Sequence, residues 1–285
     1  MSAETKSILC TAVATRMLEE ALQEARQCLK RQAVADEEVH AARKALKRAR
    51  AALRLLRPSI GDAAYRRENT ALRDAGQHLS AIRDAKANLD ALDALLERNP
   101  DEKTDAAAVE LRRTLEEDLL CARHALRRPS KALDEATALL DRRKRGLDGA
   151  AQPDDALALQ AGLKKIYRKA RVAMTEAREE ATPEAFHEWR KQVKYLLNAV
   201  NGIQACLDPP SERVSRRAEK LADRLGDDHD LAVLAARIPP ASAGSQTMAR
   251  SIAKRRRRLR KDAVKLGEKL FDRKPARFVE RLVGT

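Results

Sequence analysis

The segment VHAARKALKRARAALRLLR, residues 39–57, sets the fold of this chain. It contains no glycine, proline or acidic residue, and it carries seven lysines and arginines. Its apolar residues recur at alternating intervals of three and four, a spacing that only an α-helix gathers on one face. The pattern predicts an amphipathic helix whose buried seam consists of Val39, Ala42, Leu46, Ala49, Leu53 and Leu56.

A second stripe of this helix is cationic and lies beside the seam. At about 100° per residue, its members fall roughly a quarter turn from the apolar positions. Because the stripe adjoins the buried seam instead of opposing it, we expect it to line a cleft between helices, where a polyanion could bind. The stripe comprises His40, Arg43, Lys47, Arg50, Arg54 and Arg57, with Lys44 and Arg48 on its outer flank.

The same pattern occurs again in FHEWRKQVKYLLNAV, residues 186–200. The spacing His-x-x-Arg-Lys-x-x-Lys returns after 147 residues, and the apolar seam shifts with it. Agreement of both the seam and the polar positions indicates an internal duplication. The polar positions of the second copy are His187, Arg190, Lys191 and Lys194, and its seam is Phe186, Trp189, Val193, Leu196, Val200 and Ile203.

The composition favours an all-α protein. The chain has 285 residues and a net charge of +15, with 35% charged and 2% aromatic residues. Abundant Ala, Leu, Arg and Lys are typical of long helices packed through small aliphatic residues, whereas sheets favour β-branched and aromatic residues. The sequence has neither a run of about 18 apolar residues nor a signal peptide, so we expect a soluble, cytoplasmic protein.

Glycines and prolines in residues 146–153 mark the predicted division of the chain. We expect a first helical bundle in residues 1–147 and a second in residues 153–285, each with about four helices in the same order. Two pseudo-symmetric four-helix bundles are the simplest architecture for such a duplication.

Capping and breaking residues place the ends of the two histidine helices. Asp36 is a candidate N-cap for the first helix, which should end at Arg57 before a proline. A polar helix should follow over residues 62–98, with an interruption near Gly76. Thr182, followed by a proline, should cap the second histidine helix.

These helices resemble the CHAD domain, a family named for the conserved histidines of an α-helical domain. The resemblance rests on the two His-x-x-Arg-Lys-x-x-Lys helices, on the Arg-Asp and His-Asp pairs at 83–84 and 229–230, and on the helix at 163–174. It extends over residues 5–280. It implies two four-helix bundles that together form one CHAD unit around a basic central groove or pore, with inorganic polyphosphate as the ligand. CHAD domains often accompany a CYTH-type triphosphatase domain, which this sequence lacks, and family members have been placed on polyphosphate or polyhydroxyalkanoate granules.

Polyphosphate suits the cationic stripes because it offers one negative charge per repeat and no base, sugar or apolar face. Arg can bind two phosphate oxygens at once, and Lys acts as a mobile point charge. A polyanion would raise the pKa of His40 and His187, so binding should strengthen below about pH 6.5. The second histidine helix has fewer cations than the first, so we expect the helix before it to contribute Lys164, Lys165, Arg168, Lys169 and Arg171.

Three other functions are less favoured. A non-specific nucleic-acid-binding architectural protein is the main alternative, since phosphate contacts alone drive such binding; we expect at most weak, salt-sensitive affinity because aromatic residues for stacking are scarce. Cations around His40 and His187 disfavour metal binding. Without a phosphate-binding glycine loop, a nucleophile elbow or a carboxylate cluster for Mg²⁺, we expect no catalysis and no cofactor.

Several single residues have plain structural interpretations. His78 and His124 are expected to be packing residues, and Trp189 a core residue. Asp84 and Asp230 are expected to orient cationic side chains. His229 is a weaker candidate for the groove, and the sequence leaves open whether the basic run 254–261 takes part in binding.

Overall fold

The computed structural model describes residues 3–30, 36–126, 130–143, 156–204, 207, 210–239 and 243–283. Within these ranges the chain forms ten α-helices and one turn of 3₁₀ helix, and no strand occurs among them, so the expected all-α fold is confirmed. None of the helices in these ranges combines the length and apolarity needed to cross a bilayer. They are α1 (Ala3–Leu29), α2 (Asp36–His78), α3 (Ser80–Arg98), α4 (Ala106–Ala125), α5 (Lys131–Arg143), α6 (Ala156–Glu180), α7 (Pro183–Gly202), α8 (Pro210–Ala235), α9 (Ala243–Leu270) and α10 (Pro275–Val283).

α2 is the helix around which the others pack, since it contacts α1, α3, α5, α6 and α7. All six seam residues predicted in its first half are buried, and none is more than 3% exposed. Leu55, which lies outside the seam, is also buried, so the helix is covered on more than one side. A Cβ at Gly162 of α6 would lie 2.3 Å from the Leu55 carbonyl oxygen. Glycine is therefore required where α6 crosses α2.

α2 does not end at Arg57 as predicted. The helix continues through Pro58 and changes direction at Gly61, which has φ 78° and ψ 164°. A proline removes one helical hydrogen bond without necessarily ending the helix, whereas a positive φ is readily adopted only by glycine. The interruption predicted near Gly76 lies three residues later, at Leu79, because the helical turns are maintained through Gly76.

The two predicted caps have different outcomes. Thr182 caps α7 as expected, and its hydroxyl accepts a hydrogen bond of 3.2 Å from the backbone N–H of Ala185. Asp36 is instead the first residue of α2, and its carboxylate accepts two hydrogen bonds from the guanidinium of Arg123 in α4. That carboxylate therefore links the start of α2 to the end of α4. Its negative charge also interacts favourably with the dipole of α2, since it lies at the N-terminus of that helix.

Helices from both parts of the sequence share the apolar core. The larger core joins α1, α2 and α5 to α6, α7 and α10, and it contains Trp189, which is fully buried as predicted. A smaller core joins α3 and α4 to α8 and α9. The predicted boundary at 146–153 lies outside the described residues. The division into residues 1–147 and 153–285 stays a prediction.

Candidate functional site

A cavity of about 650 Å³ is lined by residues of α2, α3, α7 and α8. The two histidine motifs, which are 147 residues apart in the sequence, both contribute to its wall. Lys191 is the one motif position that does not line it, since its ammonium group pairs with Glu188 on the same helix. The cationic wall comprises His40, Arg43, Lys44, Lys47 and Arg48 from α2 and His187, Arg190 and Lys194 from α7.

Lys47 and Lys194 hold equivalent positions in the two motifs, and both line this cavity. Burial lowers the pKa of Lys47 to about 7, and the positive charge of Lys194 is the next largest cause. Burial also lowers the pKa of Lys194 to about 8, and the charge of Arg190 adds to this shift. Among the described residues, neither ammonium group has a carboxylate within 4 Å or a hydrogen-bond partner. The site therefore holds two lysines without an ion-pair partner, although the more distant carboxylates of Asp230 and Asp223 act to raise the pKa of Lys194.

Arg43 and Arg190 are a second equivalent pair in the cavity. The Nε of each is buried and lacks a hydrogen-bond partner within the described chain, although Arg43 donates through Nη1 to the Gly76 carbonyl at 2.7 Å. Burial lowers the pKa of both guanidinium groups, and the carboxylates of Asp84 and Asp230 oppose this shift. A buried donor without an acceptor is costly, so an anionic oxygen in the cavity would stabilise both arginines.

The histidines lie at the edge of the same cavity. Nδ1 of His187 is 3.1 Å from Nδ1 of His229, which the sequence offered only as a weaker candidate. Burial lowers the pKa of His229 to about 4 and also lowers the pKa values of His187 and His40. The ring of His229 is therefore neutral at pH 7 in the free protein, and the same burial disfavours the charged forms of His187 and His40. Any strengthening of binding through histidine should begin at a lower pH than the predicted 6.5.

The remaining histidines lie away from the cavity. Nδ1 of His78 is 3.1 Å from a carboxylate oxygen of Glu135, and His124 is exposed near the end of α4. Within the described ranges, no three His, Cys, Asp or Glu side chains are grouped as a metal site would require.

α3 and α8 complete the cavity with residues that sequence reasoning largely missed. Arg83 Nη2 lies 3.9 Å from a carboxylate oxygen of Asp230, so this acid does stand beside a cation. The sequence signal for Arg83 is its place in the Arg-Asp pair, in which the prediction assigns a role to Asp84 alone. The other polar lining residues from these helices and α7 are Asp84, Asn88, Asn198, Glu219 and Asp223.

The C-terminal part of the α2 stripe does not line this cavity. The guanidinium carbon of Arg54 lies 3.4 Å from the centroid of the Tyr195 ring, and that of Arg50 lies 5.7 Å from the same ring. Arg57 pairs with Asp62 at 2.6 Å. These three arginines are thus held by an aromatic ring or a carboxylate of the chain itself, unlike the cations of the cavity.

The five cations predicted on α6 also lie outside the cavity. Burial lowers the pKa of Lys169, and the next causes are the charges of Arg57 and Arg54, so this part of α6 adjoins the C-terminal part of the α2 stripe. The structure thus differs from the expectation that α6 would supply the second half's share of the cavity, because α3 and α8 occupy that side. A role in binding for Lys164, Lys165, Arg168, Lys169 and Arg171 stays a prediction.

The basic run 254–261 of α9 is partly structural. Asp228, which is 2% exposed, accepts hydrogen bonds from Nε of Arg256 at 3.0 Å and from Nε of Arg260 at 3.1 Å. Arg260 also donates to the carbonyl of Ala181 at 2.7 Å. The exposed members of the run are Lys254, Arg257, Arg258 and Lys261.

Comparison with known proteins gives the family. The sequence model of the CHAD domain matches residues 16–239, most of the chain, and no CYTH domain is matched. The chain therefore belongs to the CHAD domain family. Its fold is similar to that of PptA from Streptomyces chartreusis, with a TM-score of 0.58 and 16% identity over 95% of this chain and 99% of that one. At this identity the likeness concerns the fold alone. No curated protein sequence matches the chain.

Proposed function

We propose that this CHAD domain protein binds inorganic polyphosphate in the cavity between α2, α3, α7 and α8, without catalysing a reaction on it. The observation that carries the proposal is the pair Lys47 and Lys194, two half-buried lysines with no carboxylate within 4 Å among the described residues. Burying an unpaired charge is unfavourable, and most buried ions in proteins are paired. A polyanion in the cavity would supply the missing charge.

The spacing of the cations suits a chain of phosphates. Arg43 and Lys47 are one helical turn apart on α2, about 6 Å along the axis, and Arg190 and Lys194 repeat this on α7. Successive phosphates of an unbranched chain could therefore contact cations from both helices. Guanidinium groups hold two phosphate oxygens at once, while ammonium groups adapt to the chain's position.

Nucleic-acid binding is the second candidate, and the shape of the cavity disfavours it. A space of about 650 Å³ accommodates a short run of phosphates but not a base-paired duplex. No Phe, Tyr or Trp is among the residues that line it, so a single strand would find no ring on which its bases could stack. The exposed cations of α6 and α9 leave room for weak, salt-sensitive contacts with nucleic acid.

The proposal includes a pseudo-two-fold relation between the halves, with its axis passing near the cavity. Its support is that helices at equivalent places in the duplication contact one another: α1 with α6, α2 with α7, α3 with α8, and α4 with α9. Equivalent surfaces meet in this way around any two-fold axis. The shared cavity then corresponds to the basic groove that the family resemblance implies, with each half forming one bundle.

Residence in the cytoplasm, on polyphosphate or polyhydroxyalkanoate granules, is part of the same proposal and rests on the family resemblance alone. A fluorescent fusion of the full chain should concentrate on such granules in cells that make them. A diffuse signal in cells with abundant granules would refute the association.

The binding proposal is tested by competition between long-chain polyphosphate and duplex DNA at about 150 mM and 500 mM salt, where the Debye length falls from about 8 Å to less than 5 Å. The cavity variant replaces Arg43, Lys47, Arg190 and Lys194 with Ala. The control replaces Lys254, Arg257, Arg258 and Lys261 with Ala and thus removes the same charge from the surface. Polyphosphate should displace DNA at both salt concentrations, and only the cavity variant should lose polyphosphate binding. Equal competition by DNA, with equal losses in both variants, would show a generic cationic surface.

A further inference from the structure

Lys47 has surroundings that binding a phosphate chain does not by itself require. Its side chain lines an open cavity of about 650 Å³, and none of the described carboxylates lies within 4 Å of its ammonium group. The charges with the largest effect on its pKa are positive, and they come from three helices: Arg43 on α2, Lys194 and Arg190 on α7, and Arg83 on α3. An amine in this position faces any small anionic electrophile that the guanidinium groups attract.

We propose that Lys47 is an acylation site for small acyl phosphates, of which acetyl phosphate is the simplest. The guanidinium groups of Arg43 and Arg190 bind the phosphate group and bring the acyl carbon to the Lys47 amine. The neutral amine attacks the carbonyl carbon, forming a C–N bond, while the C–O bond to phosphate breaks. Inorganic phosphate leaves with the electron pair, and the amine proton passes to it or to water. The products are an amide and inorganic phosphate, and no other reactant is needed.

The protonation state of Lys47 supports this chemistry. Only a neutral amine is nucleophilic, and an ordinary lysine with a pKa near 10.4 is neutral in roughly 0.04% of molecules at pH 7. Burial and the surrounding cations lower the pKa of Lys47 to about 7, so about half of the amine is neutral at that pH. The same cations stabilise the negative charge that develops on the carbonyl oxygen during attack. The acids that share the cavity without pairing with Lys47 are Asp84, Glu219, Asp223 and Asp230.

Acylation has a consequence that rests on the proposed function. It removes the charge of Lys47 and places an acyl group between the two histidine motifs, so it should weaken polyphosphate binding. Bound polyphosphate in turn covers Lys47 and prevents the reaction. Acylation and polyphosphate binding are therefore mutually exclusive, and the cavity responds to the supply of acyl phosphates.

The test incubates the full-length protein with acetyl phosphate and follows each lysine by mass spectrometry. Lys44, exposed on the same helix and at the same cavity, is the internal reference, and Lys164 is the reference outside the cavity. Lys47 should react at least about tenfold faster than either, since its larger neutral fraction outweighs its lower basicity. Its rate should level off above about pH 7, and inorganic triphosphate should suppress it. A rate no higher than that of Lys44 would overturn the proposal, whereas a selective rate that triphosphate does not suppress would count against the proposed function.

Two further experiments separate the possible causes of selective acylation at Lys47. N-acetoxysuccinimide, an uncharged acetyl donor, should favour Lys47 over Lys44 less strongly than acetyl phosphate does; an equal preference would refute recruitment by the guanidinium groups. A polyphosphate titration on the same preparation separates this inference from the proposed function. Binding without selective acylation overturns only the inference, whereas selective acylation without polyphosphate binding overturns only the function.

Discussion

Two regions of the molecule bury cations, and they differ in whether the chain supplies the opposite charge. Where α8 meets α9, buried Asp228 accepts hydrogen bonds from both Arg256 and Arg260. In the cavity, Lys47 and Lys194 have no carboxylate within 4 Å among the described residues. The first cluster has a counter-charge within the fold, whereas the proposed function assigns the counter-charge of the second to an external anion.

The difference shows that a cationic helix stripe does not by itself identify a binding site. Both clusters come from basic, amphipathic helix segments, and what distinguishes them is the residue across the helix interface. A carboxylate there turns the cations into a structural link, since each buried charge is paired. Where no acid across the interface lies within ion-pair distance, we expect the cations to remain available to a ligand. The following predictions test this distinction in order of expected effect.

Asp228→Asn should destabilise the protein by about 3 kcal/mol, because it leaves two largely buried guanidinium groups without their counter-charge. Urea unfolding measures this change. The matched control is Asp227→Asn at the next position, where burial already raises the pKa of the carboxyl and so disfavours its charge. That control should cost less than about 0.5 kcal/mol. Similar losses in both variants would show that the Asp228 cluster has no special structural role.

Polyphosphate affinity should fall about tenfold between pH 7 and pH 8, and more steeply above pH 8. The free pKa of Lys47 is about 7 and that of Lys194 about 8, and a bound polyanion raises both. Binding therefore takes up protons in this window, while below about pH 6 both lysines are protonated with or without ligand. Calorimetry in two buffers of different ionisation enthalpy counts these protons. An affinity that stays constant from pH 7 to pH 9 would contradict the assignment.

The stability of the free protein provides a control, because its dependence on pH through Lys47 has the opposite sign to that of polyphosphate affinity. The folded pKa of Lys47 lies below its unfolded value of 10.5, so the unfolded state binds more protons between these two values. The contribution of Lys47 to stability therefore rises with pH from about 7 upward, while affinity falls over the same range. A variant that lacks both lysines should show neither slope.

Arg54 lies between the two extremes, because an aromatic ring instead of an acid accompanies its charge. Arg54→Met should cost about 1 kcal/mol of stability through loss of the contact with Tyr195. Polyphosphate affinity, measured at the same pH and salt, should change by less than about threefold, since this side chain does not line the cavity. A loss as large as that of the cavity variants would mean that ligand binds along the whole α2 stripe.

The smallest effect is expected for α6. The double variant Lys164→Gln/Arg168→Gln removes two exposed cations outside the cavity, and such charges are well screened at about 150 mM salt. Affinity for polyphosphate should change by less than about twofold under those conditions. A tenfold loss would extend the binding surface onto α6, as the sequence suggested.

Periodicity predicted the parts of this fold that a single helix determines. The two apolar seams are buried as expected, and Thr182 caps α7, because helix period and capping depend on residues close in the sequence. The break in α2 was predicted after Arg57 but lies at Gly61. Proline and glycine both favour a break, and the packing of the helix decides which of the two positions breaks. All positions of the two histidine motifs except Lys191 line one cavity, and their role in binding stays a prediction.

The rest depends on which helices meet, and a single sequence does not show this. Tyr195, which covers Arg54, lies 141 residues away on α7. The pairing of Asp228 with the α9 run, and the contribution of Arg83 to the cavity, likewise arise between helices. Without those contacts, the stripe residues of α2 looked equivalent, although only its N-terminal part lines the cavity.

The most direct test of the account is the double variant Lys47→Met/Lys194→Met, studied for stability and for polyphosphate binding in parallel. Methionine keeps an unbranched apolar stem while removing the unneutralised charge, so the free energy of unfolding should rise by about 1 kcal/mol or more. Affinity for polyphosphate should fall at least about 100-fold, from the loss of two charge-assisted hydrogen bonds. Greater stability together with lost binding would establish that the two lysines serve the ligand at the expense of the fold. A variant that is less stable, or that binds polyphosphate within a few fold of the natural protein, would contradict the account.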